Sequence, residues 1–283
     1  MPVDGRKQGK RRQKIKSGDE KLRFPIDEPD PFGYSPAFSR KIEQFAIFLF
    51  ESYWRVELQG IENVPDRGGA LLVANHSGAL PYDGAMIKVA IEKRHPAQRV
   101  LRFLVENFAV NLPFIGAFLN RLGGVPATQE NGLRLLQADQ LVMVFPEGLK
   151  GVGKLFRDRY QLKRFGRGGF IRLALQARSP IIPVAVVGAE EIHPVLAKVK
   201  WLAKPFGIPY LPITPTFPWL GPLGAIPLPS KWIIRFGQPI NFHLDPAIDP
   251  RNTLQVMQCA EQVRATIQQM VNELLELRPH PFK

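Results

Sequence analysis

The apolar residues of the chain gather into short unbroken runs and into stretches with a period of three to four, and each kind predicts an element. Residues 71–74, Leu-Leu-Val-Ala after Ala70, are an uninterrupted run that stops at Asn75, His76, Ser77 and Gly78. That is the pattern of a short buried strand leaving into a loop. Residues 141–145 (LVMVF) and 180–187 (PIIPVAVV) read as further buried parallel strands. Residues 100–105 and 231–236 add two more, and the alternation in 54–61 (WRVELQGI) suggests an edge strand. Helices are predicted over 36–55, 83–93, 114–121, 131–138 and 165–177, and over Thr253–Leu277, where Leu254, Met257, Ala260, Val263, Ile267, Met270 and Leu274 step by three or four. Strands alternating with helices predict an α/β fold: a mixed, largely parallel sheet flanked by helices, closed by a C-terminal amphipathic helix.

Two stretches are apolar beyond what a core requires. In the first helix Phe45, Ile47, Phe48, Leu49, Phe50, Tyr53 and Trp54 cover more than one stripe. This fits either a helix at a lipid interface or one packed across the sheet. Residues 205–230 hold no charge and eight prolines. Such proline density prevents a helix and breaks strands, so an irregular apolar surface is expected, folded over the core or exposed to lipid and acyl chain. No uncharged helical stretch reaches the ~20 residues needed to span a bilayer. Any lipid is therefore expected to be met from one side.

Charge adds a partner. The net charge is +13, and residues 1–24 carry nine Lys or Arg against Asp4, Asp19 and Glu20, a net of +6, with almost no apolar content. Such an arm cannot fold alone and is either a solvated tail or a contact for anionic headgroups. The expected organisation is a basic arm over 1–35 and one domain over 36–283, with core blocks in 71–188, the apolar surface 205–230 and the terminal helix in 253–278. Nucleic acid is disfavoured because no aromatic residues interleave with the basic ones. The lone Cys259 excludes an internal disulfide framework and a cysteine zinc cluster. With no apolar run behind the basic amino terminus, a secretory signal is not expected. The cytoplasmic face of a membrane, by peripheral or monotopic attachment, is the expected location.

The chemistry is expected at the end of the 71–74 run. Asp83, beside Pro81, stands where it could cap the following helix, and a loop folding back would bring its carboxylate to one ring nitrogen of His76. His76 would then be a general base with Asp83 as its orienter. Glu147 leaves the 141–145 strand at the same kind of position. No Gly-x-Ser-x-Gly elbow occurs, so direct attack by an acceptor hydroxyl is simpler than a covalent intermediate on Ser77. The glycines of 165–169 (FGRGG) fit a tight turn better than an anion site. The remaining histidines, His95, His193, His243 and His280, lie near prolines and are expected at the surface.

Four blocks in order, NHSGALPYDG from Asn75, FIGAFLNR ending at Arg121, FPEG from Phe145 and PIIPVAVVG ending at Gly188, resemble those of the glycerolipid and lysophospholipid acyltransferase family, 1-acylglycerol-3-phosphate acyltransferases among them. Six residues separate His76 from Asp83 where that family usually has four, which is similar to a subgroup whose block reads NHxGxxPxDG. The third block continues Leu149, Lys150 where the family usually has Thr and Arg. The resemblance implies transfer of a fatty acyl group from a thioester to the hydroxyl of a lysophospholipid or glycerolipid at a membrane surface. It also implies an amino-terminal membrane-docking helix and an acyl-chain wall in the last block. Glu147 and Gly148 would belong to the acceptor-binding block, with Arg121 and Lys150 offering positive charge to a phosphate. No cofactor is expected, with acyl-CoA or acyl carrier protein as co-substrate. The alternatives are a neutral-lipid acyltransferase acting on diacylglycerol or a wax alcohol, and a non-catalytic lipid-binding protein.

Overall fold

The computed structural model describes residues 30–77, 81–110, 114–148, 151, 154–199, 201, 203, 210–278 and 280–282. The basic arm up to residue 29, Leu149, Lys150 and part of the proline-rich stretch lie outside them.

The chain opens with helix α1 (Pro36–Phe48), capped by the Ser35 hydroxyl, which accepts from the Phe38 N–H. It is followed by a wider turn over Leu49–Tyr53. Then come β1 (Glu57–Gln59), β2 (Ala70–Ala74), α2 (Tyr82–Val89), β3 (Leu101–Val105), α3 (Asn107–Val110) and α4 (Ile115–Arg121). β4 (Gly124–Pro126), α5 (Gln129–Gln137), β5 (Leu141–Val144), α6 (Gly169–Ala177) and β6 (Ile181–Val187) follow, then a small hairpin of β7 (Ala197–Val199) and β8 (Leu211–Ile213). β9 (Ile233–Phe236) and the long α7 (Thr253–Leu277) complete the order.

The main sheet has seven strands in the order β1-β9-β6-β2-β5-β3-β4. β6, β2, β5, β3 and β4 run parallel, β9 pairs antiparallel to β6, and β1 pairs parallel to β9 at the edge. The expected mixed, largely parallel sheet is therefore observed, with β1 as the expected edge strand.

β2 is buried on both faces, and its side chains alternate between two cores. Leu71 and Val73 pack with α5, α6 and the Val256, Val263 and Ile267 stripe of α7. Leu72 and Ala74 pack with Met86 and Ile87 of α2 and with Trp54 and Trp232, whose rings stack at 4.7 Å. A strand buried on both sides has no polar alternation, which is why it reads as a continuous apolar run.

Three expectations change. The proline-rich stretch does contain a strand, β8, with Pro212 inside it; a two-stranded ribbon leaves each strand one unpaired edge, where a missing N–H costs no ladder bond. β4, in a Gly-Gly-Val-Pro sequence, is a strand that the apolar pattern does not predict. His95 is buried rather than at the surface: its Nε2 meets the Val64 carbonyl at 2.9 Å and its Nδ1 accepts the Ala97 N–H. The first helix resolves into two faces: Leu49, Phe50 and Trp54 are buried, while Phe45 and Phe48 stand in solvent. At the start of α6, Gly168 has φ of +74°, and a Cβ there would lie 2.5 Å from Cγ1 of Val256. The glycine run thus permits close packing on α7, as a tight turn would.

Candidate active site

β2, β5 and β6 lie side by side and parallel, so their carboxyl ends open on one edge of the sheet. At the end of β2, Asn75 is fully buried and its amide exchanges two hydrogen bonds with the backbone of Val186 in β6: Val186 N–H to Oδ1 at 2.8 Å, and Nδ2 to the Val186 carbonyl at 3.0 Å. This clamp continues the strand pairing through a side chain and fixes the direction in which His76 leaves.

His76 Nδ1 lies 2.6 Å from Oδ2 of Asp83. The same oxygen accepts the backbone N–H of Ser77 at 2.9 Å and meets the Ser77 hydroxyl at 3.4 Å, while Oδ1 accepts from Gly84. Asp83 is fully buried and sits inside the first turn of α2, after Pro81 at the cap position, so it is not the helix cap. The helix N-terminus still favours its negative charge. The Ser77 hydroxyl is turned to this carboxylate rather than to His76. The imidazole stacks on Phe145 at 4.4 Å between ring centres, and 15% of the His76 side chain remains exposed. No group among the described residues takes Nε2. Burial pushes the His76 pKa down, but the charge and hydrogen bond of Asp83, helped by Glu147, more than reverse this, leaving it above the usual 6.5.

Glu147, which the resemblance puts in the acceptor-binding block, has its carboxylate buried and engaged within the protein. Oε1 accepts the His76 N–H at 3.0 Å, and Oε2 accepts the Lys163 N–H at 2.7 Å with Lys154 Nζ at 3.4 Å. It holds the His76 backbone. Gly148 turns back beneath it with φ of +54°, donating to the Phe145 carbonyl at 3.0 Å. Lys154 is buried between Glu147 and Glu190, 2.9 Å from the latter. Burial raises the Glu190 pKa against the pull of Lys154. Arg121 is exposed at the end of α4 with its guanidinium over the Phe38 ring, and among the described residues no contact joins it to His76, Asp83 or Glu147. Lys150 lies outside the described residues.

Sequence reasoning missed Asn75, Lys154 and Glu190. Asn75 sits in the quoted block, and its position directly after a buried strand is a usable signal. Lys154 and Glu190 are separated by 36 residues, and no local pattern pairs them. A cavity of about 350 Å³, lined by Arg159, Tyr160, Glu191, Leu275, Arg278 and Pro281, does not include His76. The Arg278 guanidinium and the Glu191 carboxylate pair with each other there.

The family model described as Acyltransferase matches residues 55–187, the span that holds both strand exits and the Asn75 clamp. The chain belongs to the acyltransferase family. An uncharacterized protein of Mycobacterium leprae is 49% identical to this acyltransferase over 254 residues, covering 89% of this chain and 69% of its own. Among more distant relatives, the Gallus gallus protein named DGAT1/2-independent enzyme synthesizing storage lipids is 28% identical over 236 residues, 81% of this chain, and its Homo sapiens counterpart 25% over 222 residues. This acyltransferase spans 66% and 61% of those two proteins. Its fold is that of the 1-acyl-sn-glycerophosphate acyltransferase PlsC from Thermotoga maritima: TM-score 0.52, 18% identity, 83% of this chain and 78% of that one.

Proposed function

We propose that this acyltransferase moves a fatty acyl group from a thioester donor to the hydroxyl of a lysophospholipid or related glycerolipid at a membrane surface. The observation that carries the reading is the 2.6 Å contact between His76 Nδ1 and buried Asp83, with Nε2 left open. Asp83 holds the tautomer in which Nε2 is unprotonated, and Nε2 takes the hydroxyl proton as the oxygen attacks the thioester carbonyl. When the tetrahedral adduct collapses, the C–S bond breaks, the new ester keeps the acyl group, and the proton returns to the leaving thiolate. The transfer balances without a cofactor. The donor is acyl-CoA or acyl carrier protein, and attachment is peripheral, on the cytoplasmic face. Among the described residues no helix is long and apolar enough to cross a membrane.

A second reading gives the acceptor no phosphate. It is supported by the storage-lipid name of the animal relatives and by Arg121, which rests on Phe38 away from His76. One experiment separates the two. Lysophosphatidate, lysophosphatidylcholine, monoacylglycerol, diacylglycerol and a fatty alcohol are each offered with labelled acyl-CoA and with labelled acyl carrier protein. The first reading expects a lysophospholipid to be acylated fastest, with Lys150→Met raising the apparent KM chiefly for phosphate-bearing acceptors. Preference for diacylglycerol or the alcohol selects the second. No product with any pair overturns both.

A further inference from the structure

Beside the proposed base lies a buried cation with no part in the steps above. Lys154 Nζ stands 3.4 Å from Oε2 of Glu147 and 2.9 Å from Oε1 of Glu190, and the Lys154 side chain is 3% exposed. A buried ammonium is strongly penalised unless it is paired, and here two carboxylates share it. Closed to substrate, it can act on the reaction through its partners alone.

Those partners lead to the imidazole. Glu147 Oε1 accepts the His76 N–H at 3.0 Å and Oε2 the Lys163 N–H at 2.7 Å, so the carboxylate bridges the exit of β2 to the segment before α6. Glu190, after β6, is fixed in turn, its Oε2 accepting the Tyr160 N–H at 3.1 Å. The backbone that delivers Lys154 is pressed against the same residues. A Cβ on Gly151 would lie 2.7 Å from Cβ of Glu147 and 3.2 Å from Cβ of His76, and the Lys154 N–H donates to the Gly151 carbonyl at 3.3 Å. Contacts thus run unbroken from Glu190 through Lys154 and Glu147 to the His76 backbone.

We infer that Lys154 is a positioning residue for the base: anchored on Glu190, it restrains the Glu147 carboxylate that grips the His76 N–H, and it offsets that carboxylate's charge at the imidazole. The inference deepens the acyl-transfer reading and rests on it for the role of the base. Among the described residues, the charges acting on the ring are Asp83 at the start of α2, Glu147 after β5, and Lys154. Burial lowers the His76 pKa, Asp83 and then Glu147 raise it, and of the three charges Lys154 alone lowers it. Without the Lys154 charge, Glu147 acts on the ring unopposed, the imidazole holds its proton to higher pH, and the acid limb of kcat/KM moves up. Asp83→Asn moves that limb down. Opposite shifts from two residues acting on one ring are not what a general loosening of the fold produces.

The test pairs Lys154→Met with Glu190→Gln, which removes one charge of each sign and leaves no Glu190 carboxylate buried without its cation. Lys154→Arg keeps the charge. In substrate-free protein whose circular dichroism matches the parent, the His76 ring titration followed by NMR should rise in the double variant by about half a pH unit or more, the scale of one charge across a partly screened site. In Lys154→Arg it should stay near the parent. The acid limb should follow the ring, and with the grip on His76 loosened kcat should fall about tenfold or more while the apparent KM changes little. A ring titration unmoved or lowered in the double variant would overturn the inference and leave Lys154 a structural cation. So would a rise in Lys154→Arg equal to that in the double variant, because charge would then not be the cause. The ring is read without substrate, so the inference can fail while acyl transfer stands, whereas absence of product with every donor and acceptor overturns the function alone.

Discussion

At His76 two opposing effects act on one ring, and their balance sets a measurable pH. Burial favours the neutral imidazole, while Asp83 and Glu147 favour the cation more strongly, so the pKa stands above 6.5. A general base works as the neutral form, so the acid limb of the kcat/KM profile should lie above pH 6.5. Asp83→Asn removes the leading cationic stabiliser and moves that limb to lower pH. It also offers an amide N–H to Nδ1, which would favour the tautomer with Nε2 protonated and blocked. Turnover should therefore fall even at high pH, by the 10²-fold to 10⁴-fold typical of a positioned base, as it should in His76→Ala. A pH profile that fails to move in Asp83→Asn, or near-normal turnover in His76→Ala, would remove these residues from the proposed chemistry.

Between elements, the site is held by long-range polar contacts that strands alone do not provide. Asn75 ties the exit of β2 to β6, and Lys154 joins Glu147, after β5, to Glu190, after β6. Lys154→Met would leave two carboxylates buried without their cation, which costs about 3–5 kcal/mol in comparable pairs. Denaturant unfolding should show that loss near pH 8. It should shrink on acidification, because Glu190 already has a raised pKa: the folded state binds its proton more tightly than the unfolded chain, so protonation favours folding. A loss independent of pH would mean that packing, not charge, dominates there. The same contacts mark the limit of sequence reading. The buried strands and α7 were legible because burial on both faces, or a period of three to four, is written locally, and the His76 and Asp83 pairing because both lie within one loop and helix start. The role of Glu147 was not legible. The resemblance put it in the acceptor-binding block, and only the fold shows both its oxygens taken by backbone N–H groups of His76 and Lys163. Lys154, Glu190 and the buried His95 depend likewise on partners far along the chain.

Over the whole molecule, positive charge and exposed apolar surface are distributed separately. The net +6 of residues 1–24 has few apolar residues beside it, whereas the exposed Trp201 and Trp219 lie in a stretch with few charges. Two signals of different physics add at a membrane, since electrostatic attraction brings the protein near and apolar burial holds it. They can be told apart by salt. Exposed charges act within about 8 Å at physiological ionic strength and weaken as salt rises, while apolar burial does not. Deleting residues 1–24 should thus reduce partitioning to anionic vesicles, flatten its dependence on salt, and leave the smaller partitioning to neutral vesicles nearly unchanged. Turnover on detergent-solubilised substrate should hardly move, because none of the contacts described around His76 involves that arm. Sedimentation with vesicles of both compositions across a salt series checks this. Equal losses on neutral and anionic vesicles, accompanied by a lower melting temperature, would instead make the arm part of the folded structure.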